Sequence, residues 1–286
     1  MKTILSVQSH VAYGYVGNRA ATLALQLLGH EVVAINTVQF SNHTGYGDWT
    51  GQIFSSDHIQ EIIDGLYKRG VLQKLDAVLT GYLGDAALGG IIIETLANLR
   101  AEKPGLLYCC DPVMGDVGRG LFVRDTIPDF FKSTAAPQAS ILTPNQFELA
   151  LLSDITITTH EDARTACNIL HERGTGIILL TSLETRDTQA GTIEMLASHK
   201  NGDQWVVTTP KLALDPAPNG AGDLTAAIFL GHILNDRDIA AALSLTADSL
   251  HSVFEITKAC GQRELALIAA QDAIRHPAPH FTARKL

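Results

Sequence analysis

Short apolar runs alternate with amphipathic stretches from one end of the chain to the other, and this rhythm restricts the fold more than any other feature. Ile4–Val7, Val32–Ile35, Ala77–Thr80, Leu106–Cys110, Ile141–Thr143 and Ile177–Leu180 are brief and unbroken by charge, as strands buried on both faces are. Helical spacing runs through Asn18–Leu28, which Gly29 stops, and through Asp57–Lys68, Ala86–Arg100, Phe147–Leu152 and Asp162–His171. Strand and helix in alternation place helices on both faces of a mostly parallel sheet, an α/β doubly wound α/β/α sandwich. Thr192–Leu196 and Trp205–Thr209 are separated by too few residues for a crossover, so they form an antiparallel edge. Three helices are expected in the tail, at Asp223–Leu234, Ile239–Lys258 and Glu264–Ile274. Cys109 and Cys110, adjacent in one strand, point to opposite faces of the sheet. No repeat or linker interrupts the sequence, so a single domain over residues 1–286 is expected.

Charge narrows the partners. The 21 Lys and Arg against 30 Asp and Glu leave a net charge of −9 without a basic cluster, which argues against a nucleic-acid groove or an anionic membrane surface. A nucleotide is still compatible, because helix-start amides and bound Mg²⁺ hold polyphosphate on an acidic protein. At 46% apolar and 18% charged residues the chain is expected to pack a core. No apolar run reaches the ~20 residues of a membrane span, and Met1–Gln8 lacks the pattern of a signal peptide. The four cysteines contain no Cys-x-x-Cys and the eleven histidines no metal-binding spacing, which fits a reduced, cytoplasmic protein without a zinc site.

Polar residues gather where the strands end: Ser9, Gly81-Tyr82, Asp111, Asn145 with Glu148, and Thr181-Ser182. Ligands of open parallel sheets bind outside those carboxyl ends. Asn219-Gly220-Ala221-Gly222-Asp223 is a glycine turn feeding a small-residue helix. It reads either as a plain turn whose Asp223 offsets the helix dipole or as a nest of amides for an anion. Asp111-Pro112 reads as a turn or as a carboxylate placed for Mg²⁺. Asn145 and Glu148 have the spacing of a capping box, and the same pair sits where a metal-bound phosphate would lie. Ser9 is a turn residue or a hydrogen-bonding partner for a ring heteroatom. Phe40–Trp49 is expected to be a loop, either ordinary surface or a cover for a ligand, and the glycine-bearing Asp116–Gly120 is a second covering segment. A P-loop is absent, and a dinucleotide fingerprint fails at Thr225, where its third glycine would stand. Separately each feature has an ordinary structural explanation; their convergence on one sheet edge favours a site.

The stretches Gln8–Asn18, Asn36–Thr44, Gly81–Gly84, Cys110–Asp116, Thr143–Leu149 and Gly220–Asp223 resemble the ribokinase-like family. Within it they resemble the pyridoxal kinases, most closely the bacterial kind acting chiefly on pyridoxal. The resemblance implies a ribokinase-like fold, a homodimer, and ATP-dependent phosphorylation of the 5′-hydroxyl of pyridoxal. It makes Asp223 the base, with the amides of Gly220, Ala221 and Gly222 as anion hole. It places Ser9, Thr44, Gly45 and Tyr82 around pyridoxal. It assigns Asp111, Thr143, Glu148, Thr181 and the stretch Pro210, Lys211, Leu212 and Ala213 to ATP, with Asp111 and Glu148 near Mg²⁺. A monovalent cation such as K⁺ is a further candidate. Thr181 departs from relatives that carry Lys there. Because Asp223 opens a helix, the dipole is expected to favour its ionised form. Two other activities stay open: kinase action on a hydroxymethylpyrimidine, and slow-turnover carriage of pyridoxal or its phosphate.

Overall fold

The computed structural model covers residues 1–286. β1 (Thr3–Val11), α1 (Asn18–Leu27) and β2 (Glu31–Phe40) open the chain, followed by β3 (Gly51–Ile53), α2 (Ser56–Lys68), β4 (Ala77–Thr80), α3 (Ala86–Glu102) and β5 (Leu107–Cys110). A hairpin of β6 (Gly115–Asp116) and β7 (Gly120–Leu121) precedes two short helices, α4 (Thr126–Phe130) and α5 (Ala136–Gln138), joined by one π-helical turn. Then come β8 (Ile141–Leu142), α6 (Gln146–Ser153), α7 (His160–Glu172), β9 (Ile177–Leu183), β10 (Thr192–His199) and β11 (Gln204–Pro210). The tail contains α8 (Ala221–Leu234), α9 (Ile239–Cys260), α10 (Gln271–Arg275) and β12 (Arg284–Lys285).

Ten strands make one sheet in the order β12-β11-β10-β9-β8-β5-β4-β1-β2-β3. From β9 to β2 every pairing is parallel. Both edges are antiparallel, not the one expected, because β3 folds back on β2 while β10, β11 and β12 extend from β9. Chain order reverses between β1 and β4, and such a switch opens a crevice at the carboxyl ends of the strands.

Alternation along the strands supplies two cores. Ile4, Leu79, Cys109, Ile141 and Leu179 face α1, α8, α9 and α10. Leu5, Val78, Cys110, Leu142 and Ile178 face α2 to α7 on the other side. The two neighbouring cysteines therefore sit in different cores, as a period of two requires. Each Leu or Ile fully buried in this way contributes roughly 1.5–3 kcal/mol. α8 lies between α1 and α9 and is buried on nearly every side from Leu224 to Leu234, which accounts for its lack of a polar face. Side chains fix the helix starts: Ser55 caps α2, capping boxes of Asn145 with Glu148 and of Thr159 with Asp162 begin α6 and α7, and Asp238 caps α9.

Several boundaries differ from the sequence reading. β1, β2 and β9 run three to five residues further than their apolar runs, since polar residues such as Gln8 and Gln39 continue the backbone ladder and β9 resumes pairing at Leu183 past an irregularity. Ser9 and Thr181 therefore lie within strands, not beyond them. Only Gln271–Arg275 of the last expected helix is helical. Leu265, Ala266 and Leu267 are consecutive buried residues and follow irregular turns that one helical face could not accommodate. No helix is long and apolar enough to cross a membrane.

Candidate active site

The crevice beyond the strand ends is a cleft of about 610 Å³. Ser9, Tyr82, Asp111, Thr143 and Thr181 line its floor, the Phe40–Gly45 segment one side, the β6–β7 hairpin another, and Pro218–Asp223 the wall where α8 begins. The structure thus brings together Asp223, Gly220, Ala221, Gly222, Ser9, Thr44, Gly45, Tyr82, Asp111, Thr143, Glu148 and Thr181. Pro210, Lys211, Leu212 and Ala213 are not among the lining residues; Lys211 is paired instead with Glu184, Nζ to Oε1 at 2.7 Å.

Gly220 is the N-cap of α8 in the left-handed region, φ 86°, and no side chain caps the helix. A Cβ at Gly220 would overlap the Tyr15 carbonyl oxygen, so only glycine lets the two segments approach so closely. The first amides of α8 are left facing the cleft, with the positive end of the helix dipole behind them. Asp223, in the same turn, accepts a hydrogen bond on Oδ2 from the Gly17 backbone N–H at 2.8 Å. Its carboxyl is pushed up to about 6 by burial, with Gly17 pulling the other way. The expectation of a carboxyl held low by the dipole is corrected here: desolvation of this half-buried group outweighs it.

Asp111 and Glu148 are 5% and 4% exposed, so two acidic groups share one dry wall. Burial first, then the charges of Glu148 and Asp223, hold Asp111 well above the usual carboxylate range. Its Oδ1 accepts from Thr143 Oγ1 at 3.2 Å, while Oδ2 points towards Gly222, 3.8 Å from where a Cβ would stand. Glu148 is pushed up to about 7 by burial against the pull of three backbone amides. Met114 N–H donates to its Oε1 and Asn145 N–H to its Oε2, each at 2.9 Å. Both readings of Asn145 and Glu148 therefore hold at once, since the capping box itself carries the carboxylate to the cleft. No group of three His, Cys, Asp or Glu residues is arranged to hold a metal. Two buried carboxylates without a basic partner still suit a hard divalent cation that completes its shell with ligand oxygens and water. Asp111 and Glu148 both line the cleft and are the carboxylates such a set offers, Glu148 already accepting from backbone amides.

The opposite part of the cleft is apolar. Val11, Val16, Val38 and Phe40 form a small cluster that faces it, and Phe40 stacks on Trp49 with ring centroids 4.0 Å apart. Thr44–Tyr46 is one 3₁₀ turn whose start is fixed by His43, the Nδ1 atom accepting from Gly45 N–H at 3.0 Å. Sequence reasoning missed this apolar wall, although the strands β1 and β2 run on to Val11 and to Val38 and Phe40. It also missed Arg119, the one Arg or Lys among the lining residues. Arg119 stands between Gly118 (φ 81°) and Gly120 (φ 71°) at the hairpin turn, inside the segment singled out as a cover. Asp116, Asn145, Ser182 and Asn219 complete the polar lining.

A family model described as phosphomethylpyrimidine kinase matches residues 23–265. A pyridoxal kinase PdxY of Rubrobacter xylanophilus is 49% identical over 284 residues, 99% of this chain and 97% of that protein. One from Granulibacter bethesdensis is 48% identical over 98% of this chain and 99% of its own. Among solved structures, the pyridoxal kinase of Leishmania donovani in complex with ADP and pyridoxamine superposes with a TM-score of 0.93 at 29% identity, covering 100% of both chains. The fold is the mixed, mostly parallel sandwich of those kinases.

Proposed function

Because the chain belongs to the phosphomethylpyrimidine kinase family, we propose that it is an ATP-dependent pyridoxal kinase, transferring the γ-phosphoryl group of ATP to the 5′-hydroxyl of pyridoxal. One observation carries the chemistry. A carboxyl pushed up to about 6 sits in the first turn of a helix whose start no side chain caps. An acceptor for an alcohol proton and a set of donors for phosphate oxygens thus share one wall.

Phosphoryl transfer needs chiefly positioning and charge stabilisation, because its transition state is loose. The Asp223 carboxylate takes the proton of the 5′-hydroxyl as the alkoxide oxygen bonds to the γ-phosphorus and the bond to the ADP oxygen breaks. The amides of Gly220, Ala221 and Gly222 hold the equatorial oxygens where negative charge collects. Ser9, Thr44, Gly45 and Tyr82 orient the pyridoxal ring against the wall of Val11, Val16, Val38 and Phe40. Thr143 and Thr181 hold the nucleotide, and Arg119 brings a guanidinium to its phosphates from the hairpin. The Pro210–Ala213 segment, which follows β11, lies outside the lining and would reach only an adenine that extends beyond β9 and β10. A divalent cation, which we infer to be Mg²⁺ at Asp111 and Glu148, would neutralise the triphosphate. The resemblance also suggests a K⁺ requirement, a homodimer, a cytoplasmic enzyme and one kinase domain spanning residues 1–286. Assays with and without K⁺ and light scattering of the purified chain test the first two.

The name of the matching family favours a second reading, kinase action on a hydroxymethylpyrimidine. Coupled ADP release with pyridoxal, pyridoxine, pyridoxamine and hydroxymethylpyrimidine separates the two. A higher kcat/KM for pyridoxal than for the pyrimidine is expected, and the reverse order overturns the assignment. Binding of pyridoxal phosphate without turnover would point to the carrier.

A further inference from the structure

Glu264 is a buried carboxylate, 6% exposed, that does not line the cleft and has no part in the transfer itself. It stands in the irregular segment between α9 and α10, and its two oxygens reach two different turns. Tyr46 Oη donates to Oε1 at 2.7 Å, and the Tyr15 backbone N–H donates to Oε2 at 3.2 Å. Arg263 beside it donates from Nη2 to the Gly45 carbonyl oxygen at 2.6 Å, and its guanidinium lies 3.8 Å from the centre of the Tyr46 ring. Gly14, at φ 99°, passes under the carboxylate where any Cβ would overlap Glu264. The chain therefore leaves room for this group 250 residues away in sequence (264 − 14).

We propose that Glu264, assisted by Arg263, is a positioning residue for the pyridoxal side of the cleft, locking the Thr44–Tyr46 turn to the Tyr13–Gly17 turn. The proposal rests on the pyridoxal kinase reading. One locked turn carries Thr44 and Gly45 into the cleft, and the other carries the Gly17 N–H that holds Asp223. A buried carboxylate is stable only while donors satisfy it, and here the donors are the two turns. The Thr44–Tyr46 turn has little else to hold it. Thr44 and Gly45 are exposed, and its own hydrogen bonds are local, from Gly45 to His43, Tyr46 to His43 and Gly47 to Thr44. Burial and the contact with Glu264 push the Tyr46 phenol up to about 12, so it remains a donor throughout the working range of a neutral-pH enzyme. Thr143, Thr181 and the hairpin share no hydrogen bond with Glu264, and on the nucleotide side only Gly220, packed on the Tyr15 carbonyl, touches the locked turns.

The test uses the full chain with Tyr46→Phe, Glu264→Gln and Arg263→Lys, varying pyridoxal and ATP separately, with hydrogen exchange on the ligand-free proteins. Glu264→Gln is expected to raise KM for pyridoxal by ~5–20-fold and Tyr46→Phe by less, with KM for ATP within about twofold. Amides of 42–50 and 12–17 should exchange faster, and those of 115–121 should not change. Equal shifts in both KM values, or no change in either KM or exchange, overturn the proposal. Should Glu264→Gln fail to fold, Tyr46→Phe, which keeps the ring, and Arg263→Lys, which keeps the charge, carry the same readouts. A wild-type chain that does not phosphorylate pyridoxal would sink the kinase reading, and the exchange data would still judge the lock.

Discussion

Asp223 shows how a single residue's chemistry is set by two opposing effects. The helix start and the Gly17 N–H favour its anion, while burial favours its neutral form and wins, pushing it up to about 6. A base must be ionised to accept a proton, so kcat/KM is expected to fall as pH drops through about 6 and to be flat above it. Asp223→Asn should keep the fold, lower kcat by ~10²–10⁴ and abolish that acid limb. Retention of more than half the wild-type rate would remove Asp223 from the mechanism. The residue itself was legible because Gly-x-Gly-Asp is a local pattern. Its raised proton affinity was not, since that depends on which distant segments cover it. Glu264 left no local signal at all: its partners Tyr15 and Tyr46 lie 249 and 218 residues away.

Among the elements, the β6–β7 hairpin and the start of α8 do most to shape the cleft. Arg119→Ala on the hairpin is expected to raise KM for ATP by ~3–10-fold and leave KM for pyridoxal unchanged, as measured by initial rates with each substrate varied. An unchanged KM for ATP would mean that the guanidinium does not reach the phosphates. The long helices and the buried parallel strands were readable because their apolar spacing repeats over several turns or fills an unbroken run. The hairpin, β3 and β12 span only two or three residues each, too few for any period to register. Hydropathy stops before Ser9 and Thr181 and so places them after strands, whereas the strands themselves run on.

Across the whole molecule, Asp111, Glu148 and Asp223 concentrate acidic groups in one crevice, all with raised proton affinity. Such groups bind protons more tightly in the folded than in the unfolded chain. Their contribution to stability therefore falls as pH climbs from the ordinary carboxylate range through about 6 and 7. Asp111→Asn keeps an oxygen acceptor for Thr143 and removes one charge. It is expected to raise the Tm of the ligand-free protein by ~2–6 °C at pH 8 and by less at pH 5, while removing most activity. A Tm difference that does not grow with pH would contradict this account. The order of elements, the parallel sheet and the edge at which the cleft opens were determined by the sequence alone, because periodicity and crossover handedness are local or nearly so. Tertiary structure alone decided that Gly17 grips Asp223, that Glu264 ties two turns together and that burial raises the proton affinity of the cleft carboxyls. Long-range contact and exclusion of water arise only when the two helix layers close on the sheet.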